Sequence, residues 1–219
     1  MIEKEIIYLI VGIAFIAATI ILLVVRYERA RREAIRELAL SIGFSYEKDF
    51  KAGPELQGFK VFNKGHSRKA SNLVSGKRGH VAYKIFDYRY TVGGGKNSHT
   101  YRQTVAFAQL AYSSLPHFLL GPENFFHKIG EKFGFQDIDF EHYPEFSNHY
   151  LLRGQPEEEI RKIFKPHILE YFQTRKLKTT IEGKGNGLIL YKLGKRVKPA
   201  EMNGFFDQFR EIVAFFDRR

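Results

Sequence analysis

The chain has 219 residues, with 35 Lys and Arg against 24 Asp and Glu, a net charge of +11, and no cysteine or tryptophan. The missing cysteines exclude a disulfide scaffold and any thiolate metal site, though they fit a reducing compartment and a disulfide-free exported domain equally. The positive excess suits an anionic membrane leaflet or nucleic acid, and it also serves solubility.

Residues 6–25 read IIYLIVGIAFIAATIILLVV, twenty residues without a charge. As a helix this run reaches about 30 Å, the thickness of a bilayer's hydrocarbon core. A cleaved signal peptide would need a basic start, a shorter apolar stretch and a small-residue cleavage site. Here the start is Glu3-Lys4-Glu5, and bulky residues continue to Val25. The run therefore predicts a single transmembrane helix. Lys4 stands alone on its N-terminal side, whereas Arg26, Arg29, Arg31, Arg32 and Arg36 follow it. By the positive-inside rule the N-terminus lies outside and the rest is cytoplasmic, at the inner (plasma) membrane. The same five arginines are candidate contacts for anionic lipid head groups.

From Tyr27 the apolar or small positions are 27, 30, 34, 35, 38, 39 and 42, which is helical spacing. Glu28 with Arg32, and Arg29 with Glu33, are expected to pair at i, i+4. Gly43 supplies a left-handed cap. Residues 1–43 thus read as one helix, first in lipid and then in water. Without Lys4, Glu3 and Glu5 the remainder holds 34 basic and 22 acidic side chains, a net of +12. Residues 44–219 are long enough for a real core, as one soluble domain or as two packed lobes, 44–121 and 122–219.

Residues 44–120 predict antiparallel β structure. Phe59 to Val61 alternates before a turn at Asn63-Lys64-Gly65, and Ala70–Ser75 is strand-like. His80–Val92 and Thr100–Tyr112 form two long β runs joined by Gly93–His99, a hairpin. His117–Leu120 is another short strand. Pro122 opens a helix ending near Gly134, and residues 135–140 and Phe146–Leu152 alternate as strands. Pro156 with Glu157, Glu158 and Glu159 starts a helix, and Pro166 begins a second piece. Thr179–Gly183 and Leu188–Leu193 flank a second glycine-rich turn. In the last helix Met202, Phe205, Phe206, Phe209, Ile212, Val213 and Phe216 share a face. The order argues for an α+β class rather than a doubly wound parallel sheet.

Chemistry is hard to find. Gly93–Ser98 has the wrong glycine spacing for a phosphate loop and joins two strands. Asp137, Asp139 and Glu141 share one face if 135–141 is a strand, which suits a hard cation or an acid/base pair, or a solvated face. No H-x-x-x-H occurs among the eight histidines. Ser147 and His149 are two apart with no nucleophile elbow. Asp87, between Phe86 and Tyr88, is costly inside an aromatic strand unless paired, with Arg89, Arg102 or Lys84 as candidate partners.

Phe86-Asp87-Tyr88-Arg89-Tyr90, Gly95-Lys96, Gln103-Thr104-Val105, Leu115-Pro116, Pro122-Glu123, Gln136-Asp137-Ile138-Asp139-Phe140 and Phe146-Ser147 with Tyr150 and Gly154 resemble a family of bacterial proteins. Its members have one N-terminal membrane helix and a soluble region of unknown function. The resemblance covers residues 60–193. It implies anchoring and a shared fold and carries over no active site.

The leading reading is a membrane-anchored binding or interaction module with the lipid bilayer and an unidentified protein as partners. It assigns no catalytic, cofactor-binding or metal-ligating residue. The alternatives are a tethered enzyme using Asp137 and Asp139, or binding of anionic lipid or nucleic acid through general charge, with nucleic acid the weaker of those two.

Overall fold

The computed structural model describes residues 2–122 and 137–217. Pro122, expected to open a helix, instead closes a strand, and the rest of that expected helix, 123–134, lies outside the described residues. Helix α1 spans Ile2–Ser41 without a break. Its segment from Lys4 is long and apolar enough to cross a membrane, and none of its most apolar stretch is buried in the protein. It ends as the sequence predicts. Gly43 takes φ +69°, its N–H reaches Leu40 O at 3.0 Å, and the N–H of Phe44 reaches Ala39 O at 2.8 Å. This double closure satisfies two carbonyls that the helix leaves open.

The strands are β1 (Ser45–Phe50), β2 (His66–Arg78), β3 (Val81–Val92), β4 (His99–Gln109), β5 (Leu115–Pro122), β6 (Tyr150–Gln155), β7 (Thr180–Gly185) and β8 (Gly187–Tyr191). They form one eight-stranded sheet in the order β1-β2-β3-β4-β8-β7-β5-β6, with every pairing antiparallel. The other α-helices described are α2 (Pro144–His149), α3 (Glu157–Ile163), α4 (Pro166–Arg175) and α5 (Met202–Phe216). The fold is α+β on antiparallel sheet, as expected.

Both faces of the sheet are covered, which explains the nearly continuous apolar runs Val105–Ala108 and Leu188–Tyr191. In β4, Ala106 and Ala108 join one core while Val105 and Phe107 join the other; in β8, Leu188 and Leu190 oppose Ile189 and Tyr191. The first core receives Ile35 and Ala39 of α1, the inner residues of α2 to α4, and the whole predicted stripe of α5 from Met202 to Phe216. Burying each such phenylalanine is worth about 1.5–3 kcal/mol. The second core is closed by Leu56, Phe59, Val61 and Phe62.

Three local expectations are corrected. Phe59 to Val61 is no strand: Pro54–Leu56 and Lys60–Asn63 form 3-10 turns that turn their apolar residues down onto the sheet. Residues 137–141 make only one isolated bridge, Asp137 to Arg153. The stretch from Phe146 begins in helix α2 and becomes strand only at Tyr150, because Pro144 fits the first helical turn.

Candidate functional site

The richest polar constellation lies where α1 leaves its apolar segment and meets the sheet. Arg31, named above as a lipid contact, is buried there. Its Nε and Nη2 donate to Oδ2 and Oδ1 of Asp87 at 2.9 and 2.8 Å, and its Nη1 donates to Val197 O at 2.7 Å. A guanidinium held this way cannot reach head groups, so Arg31 leaves the lipid-contact set. Asp87 receives two more donors, Thr104 Oγ1 and Asn72 Nδ2, each at 3.0 Å. Four donors fill the acceptor sites of one carboxylate. The buried ion pair expected for Asp87 is present, but Arg31 is its partner rather than Arg89, Arg102 or Lys84.

Asn72 reaches Asp87 through a bulge. The β2–β3 register shifts between Ser71 and Val74, and Asn72 adopts φ +55°. Asparagine tolerates this left-handed geometry better than most residues, and its Oδ1 accepts from Tyr46 OH at 2.9 Å. A second bond ties helix to domain: Arg196 grips Glu28 through two contacts of 3.0 and 2.7 Å. That guanidinium holds the Glu28 carboxyl below its ordinary value. Glu28 therefore pairs across the fold, not with Arg32 along the helix, and Glu33 faces Arg36 rather than Arg29.

Beside this lock opens a cleft of about 510 Å³. Its walls come from α1, β1, β2, β3 and β4, and they include Val24 and Arg32 of the helix. Six cations line it: Arg32, Lys48, Lys69, Arg89, Arg102 and Arg196. The three carboxylates are already engaged, Glu28 with Arg196, Asp49 with Lys69 at 3.2 Å, and Asp87 with Arg31. Arg32, Lys48, Arg89 and Arg102 have no carboxylate partner among the described residues. Register sharpens the picture, because Arg89 stands directly opposite Lys69 on one side and Arg102 on the other.

Of the other arginines named from sequence, Arg26, Arg29 and Arg36 are exposed on α1, and only Arg32 enters the cleft. Arg89 and Arg102 were missed as site residues; the hairpin pairing was the signal that could have found them.

The remaining candidates do not converge. Asp137 is bound by Arg153, and Asp139 offers its backbone oxygen to Arg161. Ser147 Oγ accepts from the N–H of Phe140 at 3.0 Å, a structural bond. Among the described residues no group of three or more His, Asp or Glu gathers in metal-ligand geometry. Glu182 is fully buried; it receives the Lys60 N–H at 3.1 and 3.0 Å and His117 Nε2 at 2.8 Å. This pins the 54–63 turns to the sheet.

No family model matches the chain, and no curated protein matches it significantly. Among solved structures it is similar to the mycobacterial trehalose monomycolate transport factor A, TtfA. The TM-score is 0.62 at 14% sequence identity, over 85% of this chain and 94% of that one. At that identity the likeness establishes a shared fold.

Proposed function

We propose that the protein is a single-pass, membrane-anchored binding module that serves a transport process at the bilayer, with its soluble domain on the cytoplasmic side. The observation that carries this reading is the unbroken passage of α1 from its apolar segment into the Arg31–Asp87 lock. A domain joined to its anchor by a buried bidentate pair is held in one pose over the membrane, which suits presentation of a surface to a partner. The transport assignment is supported by the fold shared with a transport factor. The binding reading is supported by the pairing of Asp137 with Arg153 and of Asp87 with Arg31, and by the dispersal of the His, Asp and Glu side chains among the described residues. The arginine excess after Val25 supports the cytoplasmic placement.

A photo-crosslinking side chain at exposed Lys96 tests the module in intact membranes. A discrete adduct with another membrane protein, unchanged by Asp137→Asn or Asp139→Asn, is the expected result. Recovery of the chain without adducts, together with a turnover activity abolished by Asp139→Asn, would replace the module with a tethered enzyme. Orientation is checked separately, by labelling a cysteine placed at Lys96 with a membrane-impermeant reagent. Intact cells should protect it, and efficient labelling would reverse the topology.

A further inference from the structure

We infer that the cleft between α1 and strands β1 to β4 binds the phosphate of an anionic lipid head group, an inference that rests on the membrane-anchored reading above. Three independent observations converge. The first is charge without counter-charge. Arg32, Lys48, Arg89 and Arg102 line one concavity, and every carboxylate in it already belongs to another cation.

The second is register. Arg89 and Arg102 are direct cross-strand neighbours, which places their Cβ atoms about 4.5–5.5 Å apart. Like charges in that relation destabilise a sheet. A fold gains nothing from the pair by itself, whereas an anion lying between two guanidinium groups turns the repulsion into a bidentate clamp.

The third is depth. The apolar run ends at Val25, and the cleft runs along α1 from Val24 to Arg32, about 12 Å of helix at 1.5 Å per residue. A helix that fills the hydrocarbon core with residues 6–25 puts that stretch in the head-group layer. Along β3 the surface facing α1 changes accordingly. Tyr83 and Ile85 lie in the core, Asp87 lies in the lock, and Arg89 is exposed in the cleft. The sheet therefore turns its cations toward the depth at which lipid phosphates lie. The exposed guanidinium groups remain hydrated until a phosphate reaches them, so no buried charge has to be tolerated in the empty site.

Binding is read by native mass spectrometry of the full chain released from nanodiscs holding equal amounts of phosphatidylcholine and phosphatidylglycerol. The wild type should retain one phosphatidylglycerol in preference to phosphatidylcholine. The R89Q/R102Q variant should show that adduct at least about tenfold less. K165Q/K178Q, which removes two charges from exposed lysines elsewhere, should behave as wild type. Thermal unfolding adds a readout that a purely structural pair would not give. In phosphatidylcholine alone, Arg102→Gln should be as stable as wild type or more so, because it relieves the repulsion. Equal adducts in wild type and R89Q/R102Q, or a clear loss of stability in Arg102→Gln, would overturn the site. Displacement of the adduct by inorganic phosphate would overturn the head-group assignment in favour of a free anion. Recovery of the chain without detergent would instead defeat the anchored reading, so the two failures are distinct.

Discussion

Asp87 has a side chain only 7% exposed, yet it carries a charge. The fold tolerates this because Arg31, Thr104 and Asn72 supply all its donors. A pair of this kind adds little net stability over apolar residues of the same size, but breaking it leaves an uncompensated buried charge. Arg31→Met and Asp87→Asn should each destabilise the chain by about 3–5 kcal/mol. The double change Arg31→Met with Asp87→Leu should recover much of that loss, and denaturation in detergent micelles would measure both steps. A double variant no better than the singles would show that the Val197 and Thr104 contacts dominate the junction. The sequence disclosed half of this arrangement. A carboxylate between Phe86 and Tyr88 demanded a cation, but the cation lies 56 residues away on a helix, and a run of five arginines does not reveal which one turns inward.

Elements were legible where periodicity and turn chemistry agreed. The α5 stripe, the two glycine-linked hairpins and the Gly43 cap all follow from local pattern. They failed to show where short apolar runs fit more than one state. Phe59 to Val61 and Phe146 to Leu152 alternate like strands, but nearby Pro54 and Pro144 start turns and a helix that bury the same residues differently. The cleft was hidden for a related reason: its six cations sit on four strands, one helix and the loop after β8, and only folding brings them together. The hairpin tip offers a direct check. Residues 93–99 are exposed, so Lys96→Ala should change stability by less than about 0.5 kcal/mol in a denaturant titration. Gly154 should behave in the opposite way. A Cβ there would meet the carbonyl oxygen of His117 at 2.2 Å and Phe118 Cα at 2.8 Å, both backbone atoms. Gly154→Ala should therefore force β5 and β6 apart and cost about 1–3 kcal/mol.

At the scale of the whole molecule, two sets of titrating groups bracket the pH range in which the fold is most stable. Glu28 and Glu55 set the acid side, each from an ordinary value of 4.5. The Arg196 bond draws Glu28 down; burial pushes Glu55 up, but its Lys84 bond and a backbone donor outweigh that, and its net direction is also down. A depressed carboxyl contributes stability that is present above the unfolded value and lost as pH falls through the folded one. Both groups are partly open to solvent, so each contribution is modest and salt-sensitive. Buried phenols set the alkaline side. Burial raises Tyr88 and Tyr171 from 10 to about 12 and pushes Tyr150 up as well. Here the sign reverses: the stabilisation is complete below pH 10 and is lost as the unfolded chain ionises first. Unfolding midpoints should therefore be flat between these limits, fall below about pH 4.5, and fall again above pH 10. Glu28→Gln should flatten part of the acid limb and leave the alkaline limb unchanged, because Glu28 joins Arg196 at the helix foot while the phenols lie within the domain. An acid limb identical in Glu28→Gln and wild type would show that the Glu28–Arg196 bond contributes nothing to holding the domain against its anchor.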